Sequence, residues 1–306
     1  MTLTIALLGL GAWGRTLQDL WQRQGHRLLG WSRSRGGDPA ALLPGADLVV
    51  IAVAMQGLEP LAARLAAAWP VGVPLLSCSK GIDPERLATP TQIWQRQLPA
   101  APLLVLSGPN LAAELAQGRP AASVLAGRDQ ALASELQRQL SAENLRLYRS
   151  DDPVGVEAAA ALKNVMAVAA GICDGLGLGA NAKASLLCRG LAEMGVVVEG
   201  MGGHATSLYG LAGLGDLLAT ANSPLSRNYR CGLLLAEGLD EAAAVARIGA
   251  TVEGPRTARA ALALAQRQGW HLPICEQVLA VLEGRTDPAS AARSLMQRNL
   301  RPEWNP

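Results

Sequence analysis

An α/β half built on a doubly wound parallel sheet, followed by an all-α half, is the fold class this sequence predicts. Three observations carry it. Short apolar runs of strand length alternate with helical patterns as far as residue 149, the signature of a parallel sheet covered on both faces. The first run leads without a gap into Gly9-Leu10-Gly11-Ala12-Trp13-Gly14. From residue 150 to residue 306 glycines and prolines punctuate a stretch with no convincing strand. A chain of 306 residues is long for one core, so two domains, 1–149 and 150–306, are expected.

Taken in order, residues 4–8 form a strand, the glycine motif a turn, and a helix follows from Arg15 through Gln24 until Gly25 ends it. In that arrangement the glycines permit a tight turn, close backbone approach to a pyrophosphate, and packing of helix on strand. The free N–H groups of the first helical turn then face the phosphates. Gly9, Gly11, Ala12 and Gly14 are therefore candidate contacts of a dinucleotide, and the half is Rossmann-like. Residues 26–31 form the second strand, whose end meets the adenosine ribose in such folds, where a carboxylate favours NAD and an arginine accommodates the 2′-phosphate of NADP. Ser32-Arg33-Ser34-Arg35 offers two guanidinium groups and no carboxylate, which favours NADPH, with NAD as the alternative.

Asp38-Pro39 reads as a helix start. The apolar run 46–53 reads as a central parallel strand. Helices over 56–68, 92–97, 111–117 and 130–140 alternate with strands over 75–78, 103–106, 121–125 and 145–148. Ligands bind beyond the carboxyl ends of such strands. Two of those loops, Ser77-Cys78-Ser79-Lys80-Gly81 and Ser107-Gly108-Pro109-Asn110, carry groups suited to a ligand. Lys80 would aim an ammonium into the crevice, and Gly108 would admit backbone close to what binds there.

Ser150-Asp151-Asp152-Pro153 opens a long helix, and glycines at 175, 202, 213, 238, 254, 269 and 284 divide the remainder into helices. Within the long helix, positions three and four residues either side of Lys163 hold Ala159, Ala160, Met166 and Ala167. An amine on so apolar a face is either desolvated, which lowers its pKa towards neutrality and suits it to proton transfer, or it snorkels to the surface. Asp216, emerging from Gly213-Leu214-Gly215, is its candidate partner and also a candidate helix cap. Ser226-Arg227-Asn228 presents a hydroxyl, a guanidinium and an amide in succession, a set that can surround a phosphate or form an ordinary polar loop.

Composition excludes several classes. The formal charge is +2 with scattered Lys and Arg, so nucleic acid is not an expected partner. Five separated cysteines without a CxxC pair, Cys78, Cys173, Cys188, Cys231 and Cys275, read as reduced and mostly buried. The three histidines, His26, His204 and His271, lack metal-ligand spacing and read as surface or cap residues, so no metal site is expected. No stretch reads as a leader or as long enough to span a bilayer, the apolar run near Ala160 being interrupted by Lys163 and Asn164. A cytoplasmic location follows as the expectation.

Together these residues resemble the NAD(P)-dependent glycerol-3-phosphate dehydrogenase family. The likeness runs through Gly9–Gly14, Ser79-Lys80-Gly81, Ser107-Gly108-Pro109, Leu162-Lys163-Asn164, the segment 174–184, Arg189 to Met194, Gly213–Asp216, Ser226-Arg227-Asn228 and Val252-Glu253-Gly254. It implies interconversion of dihydroxyacetone phosphate and sn-glycerol 3-phosphate, mainly in the reducing direction that feeds phospholipid synthesis, by a homodimer. By resemblance Lys163 is the proton donor, and Lys80 and Asp216 hold and polarise the substrate. Arg227 and Asn228 hold its phosphate, with Ser226, Gly108 and Asn110 completing the pocket. Trp13, Arg33, Lys80, Ala112, Arg227 and Glu253 correspond to cofactor contacts. Asn110 stands where the family usually carries a small hydroxyl residue, and the connection from Ser32 to Ala46 is shorter than usual. A 3-hydroxyacid or 6-phosphogluconate type of dehydrogenase, or a protein that senses NADPH without turnover, remains the alternative at this point.

Overall fold

A computed structural model describes residues 2–300 and 302–303. Seven strands, β1 (Thr4–Leu8), β2 (Arg27–Trp31), β3 (Leu48–Ile51), β4 (Leu75–Ser77), β5 (Leu103–Ser107), β6 (Ala121–Gly127) and β7 (Leu145–Ser150), make one sheet in the order β2-β1-β3-β4-β5-β6-β7. Helices α1 (Ala12–Arg23), α4 (Ala112–Ala116) and α5 (Gln130–Leu140) cover one face, while α2 (Leu58–Leu65) and α3 (Pro90–Gln97) cover the other. The winding reverses between β1 and β3, so the crevice for a ligand lies at the carboxyl ends of those strands, where the glycine motif is.

The sheet is not wholly parallel. β6 pairs antiparallel with β5, Ser107 opposite Val124, and β7 then follows β6 in parallel. The link from Ser107 to Ala121 contains only the five-residue α4. So short a helix spans less than the strand it follows, and the chain re-enters the sheet from the end it left. Other expectations also shift. α1 starts at Ala12 rather than Arg15, with Gly11 as its cap, because the glycine motif itself supplies the first helical turn. Asp38-Pro39 initiates only a 3-10 turn, Pro39–Leu42, which Pro44 and Gly45 end. The span 56–68 is a short α2 flanked by 3-10 turns.

Beyond the sheet come α6 (Pro153–Gly175), α7 (Gly179–Gly200), α8 (Asp216–Ala221), α9 (Arg227–Ala236), α10 (Glu241–Ile248), α11 (Gly254–Gln268), α12 (Pro273–Leu282) and α13 (Pro288–Met296). Asp152 caps α6, its carboxylate accepting from the Gly155 N–H at 2.8 Å. α6 is the axis of this half. Its 23 residues are apolar enough to cross a membrane by length and composition, contrary to expectation, but they are sheathed by the other helices. Gly213 does not break a helix; it lies in a π-turn, Leu211–Gly215, that runs straight into α8. Four cysteines are buried and Cys188 is exposed, all as free thiols. His26 is not a surface residue: its Nδ1 accepts from the Leu3 N–H and its Nε2 meets the Gln139 carbonyl, tying β1 to α5.

The two halves meet along a seam of Val105, Val124 and Ala126 from the sheet against Val156, Ala160 and Ala212. A second attachment is unexpected. The segment between β4 and α3 sends Ile82 and Leu87 out of the sheet half and into the hydrophobic core around α6. Leu87 is held there in the left-handed region, at φ 52°.

Candidate active site

The site assembles at the seam from three segments. Lys163 comes from the middle of α6, Asp216 and Thr220 from one face of α8, and Lys80 from the loop after β4. The Lys163 ammonium donates to Asp216 Oδ1 at 3.0 Å and to Thr220 Oγ1 at 2.6 Å. Lys80 donates to the other carboxylate oxygen, Oδ2, at 2.6 Å and to the Gly108 carbonyl at 3.1 Å. Thr220 in turn donates to Asp216 Oδ1 at 3.1 Å, across one turn of α8. Lys163 and Asp216 are buried, and the Lys80 side chain keeps 23% of its surface.

An isolated buried ammonium is too costly to persist, so the paired carboxylate is what allows Lys163 to sit in the core. Burial lowers Lys163 to about 8, with the Lys80 and Arg227 charges acting the same way and Asp216 opposing them. Burial pushes Asp216 upward, but the two ammonium groups together outweigh it and keep the carboxyl ionised below its ordinary range. Three cations against one committed carboxylate leave the pocket with excess positive charge, a match for a phosphate ester.

Asp216 is therefore not the helix cap; Gly215 occupies that position, and the π-turn before it turns the carboxylate towards the amines. Ser226 is the cap of α9: its Oγ accepts from the Tyr229 N–H at 3.2 Å, and the residue is buried. Arg227 stands exposed beside it. Asn228 is held at both ends, its Nδ2 donating to Asn164 Oδ1 at 2.8 Å and its Oδ1 accepting from the Gly254 N–H at 2.9 Å. Asn110 Oδ1 accepts from Ser123 at 2.7 Å, which leaves its buried Nδ2 without a partner. Thr220 and Asn164 are the two polar residues that sequence reasoning gave no role. Thr220 was signalled by its i, i+4 spacing from Asp216, and Asn164 by being an amide next to Lys163 in a largely apolar helix.

The glycine motif fits a dinucleotide. A Cβ on Gly9 would lie 2.4 Å from the Ala52 carbonyl oxygen and one on Gly14 would lie 1.8 Å from that of Gly9, whereas nothing stands within 4 Å of the Cβ position of Gly11. Gly9 and Gly14 bring strand and helix together and Gly11 leaves open space. α1 begins there with no side-chain cap and no acidic residue in its first turn, so its N–H groups are available to a pyrophosphate. Trp13 and Ala112 are half-buried at the starts of α1 and α4, and Arg33 is exposed at the end of β2. Glu253 precedes α11, its carboxyl raised by burial and its Oε2 unpartnered near Gly81.

A glycine cradle open to a pyrophosphate and a buried amine paired with a carboxylate define a nicotinamide-dependent dehydrogenase of the two-part α/β and α type. Residues 37–133 match the family model for the NAD-dependent glycerol-3-phosphate dehydrogenase N-terminus, and residues 152–293 match that for its C-terminus. The Glycerol-3-phosphate dehydrogenase [NAD(P)+] of Synechococcus sp. (strain RCC307) is 54% identical over 99% of this chain and 100% of its own. That of Nostoc sp. (strain PCC 7120) is 45% identical over 99% of both chains. The crystal structure of glycerol-3-phosphate dehydrogenase from Coxiella burnetii superposes with a TM-score of 0.92 at 33% identity, covering 97% of this chain and 99% of that one. The chain belongs to the NAD-dependent glycerol-3-phosphate dehydrogenase family.

Proposed function

We propose that this chain reduces dihydroxyacetone phosphate to sn-glycerol 3-phosphate, reversibly, with NADPH as reductant and NADH as the alternative. The observation that carries the reading is the buried Lys163 amine, lowered to about 8 and hydrogen-bonded to Asp216. Residues 1–149 hold the dinucleotide, through Gly9, Gly11, Ala12, Trp13, Gly14, Arg33 and Ala112, with Glu253 reaching it from the helical half. Residues 150–306 hold the substrate.

A bound nicotinamide supplies the hydride. Lys163 gives its proton to the ketone oxygen as negative charge develops there, and Thr220 and Asp216 aim the amine. Lys80, with its nitrogen fixed by Asp216 and the Gly108 carbonyl, adds a second positive charge beside the same oxygen. Arg227 and Asn228 receive the phosphate, and Asn110 and Ser226 close the pocket around it. Burial of Lys163 keeps water from its amine, so that charge is little screened. Supply of glycerol 3-phosphate to phospholipid synthesis, a cytoplasmic location and a homodimer complete the reading; these rest on the family likeness.

The test is the fall in NADPH absorbance on adding dihydroxyacetone phosphate. Turnover is expected, with Lys163→Ala losing about 10²- to 10⁴-fold of it while NADPH binding is retained. NADPH binding without turnover by the unaltered chain would point to a sensor, and full turnover by Lys163→Ala would remove the amine from the chemistry.

A further inference from the structure

A buried carboxylate outside the site just described makes no ion pair among the described residues. Glu157 of α6 is 2% exposed. It accepts the Thr91 N–H at 3.0 Å through Oε1 and at 3.3 Å through Oε2, and Oε2 also accepts the Thr91 hydroxyl. Thr91 belongs to the first turn of α3, in the sheet half, where Gln92 Oε1 accepts from the Thr89 N–H at 2.9 Å and finishes the turn. Burial pushes the Glu157 carboxyl up to about 7, against the lowering pull of the Thr91 N–H and hydroxyl, and no charged group among the described residues acts on it. A buried acid kept without a counter-ion is expensive. Nothing in the packing of α6 requires one, since its neighbours along the helix are alanine and valine.

What the carboxylate holds explains its presence. Thr91 is the far end of the segment 79–91. The near end is Lys80, on Asp216 and the Gly108 carbonyl. Between them Ile82 and Leu87 are lodged in the core around α6, and Asp83 and Ala88 close a bridge across the segment. The segment is therefore fastened at both ends and in the middle to the helical half. Its last fastening is on the helix that carries Lys163.

We propose that Glu157 is a positioning residue for Lys80: by fixing the end of the 79–91 segment to α6, it sets the second amine of the site in register with Lys163. One rigid helix then determines where both amines stand, although Lys80 belongs to the sheet half. This inference rests on the reading of Lys80 and Lys163 given above.

The test compares Glu157→Ala, Glu157→Gln and Lys80→Ala in steady-state reduction across pH, with NADPH affinity measured separately. Lys80 lowers the Lys163 pKa and competes for Asp216, so its removal is expected to move the alkaline limb of kcat to higher pH and raise KM for the phosphorylated ketone. Glu157→Ala is expected to move both in the same directions, with KM rising about tenfold, the size of one charge-assisted hydrogen bond, and NADPH affinity changing no more than it does in Lys80→Ala. Glu157→Gln can still accept the Thr91 N–H and is expected to restore both. If Glu157→Ala fails to fold, Thr91→Val, which removes only the hydroxyl, is expected to show the same two shifts at smaller size. A shift with Lys80→Ala but none with Glu157→Ala or Thr91→Val would overturn the positioning role and leave the site intact. No shift with Lys80→Ala would instead overturn the reading of the amines themselves.

Discussion

At the scale of single residues, the proposed chemistry turns on whether Lys163 holds its proton. Reduction needs the ammonium form, so its rate is expected to fall as pH rises through about 8, where burial has lowered the amine. Oxidation of glycerol 3-phosphate needs the free amine and is expected to fall as pH drops through the same value. Limbs of opposite sign in the two directions, read from kcat at saturating substrate, check this; limbs of the same sign would exclude Lys163 as the shared group. The burial of Lys163 was legible in the sequence because Ala159, Ala160, Met166 and Ala167 surround it along the helix. Its partners were less so. Asp216 could be suggested, but Thr220 reaches the amine only after folding brings together positions 57 apart in the chain. The state of Asn110 was hidden as well, since Ser123, which fixes its orientation, sits on a neighbouring strand.

At the scale of elements, apolar runs and caps announced most strands and helices, because burial on both faces and the cost of unpaired termini act locally. The direction of β6 was not announced, because it depends on how far α4 carries the chain rather than on any residue within the strand. Helix crossings were equally silent. Where α6 meets α9, a Cβ on Gly171 would lie 2.1 Å from the Tyr229 carbonyl oxygen and one on Gly232 would lie 2.0 Å from that of Val168. The backbones touch directly, and that approach is what lets Asn228 reach Asn164. Gly232→Ala is expected to force the helices apart at a cost of about 1–3 kcal/mol, seen as a lower urea midpoint. It should also raise KM, because Asn228 rides on α9. An unchanged midpoint would show that the crossing has slack.

At the scale of the whole molecule, the sheet half and the helical half share core rather than merely abut. Ile82 and Leu87 are buried among helices to which their own half does not belong, and β5 and β6 lie directly on α6. Neither half retains a complete core alone, so calorimetry is expected to give one cooperative transition with activity lost in step. Two resolved transitions would contradict that. The dependence of α6 on its neighbours also has a consequence during synthesis. Residues 153–175 leave the ribosome well before α11, whose cover is complete only at Gln268, and in that interval a naked greasy stretch of bilayer-spanning length is on offer to any insertion machinery. An ammonium at its midpoint adds about 3 kcal/mol to the cost of entering lipid, so Lys163 weighs against insertion of the nascent chain.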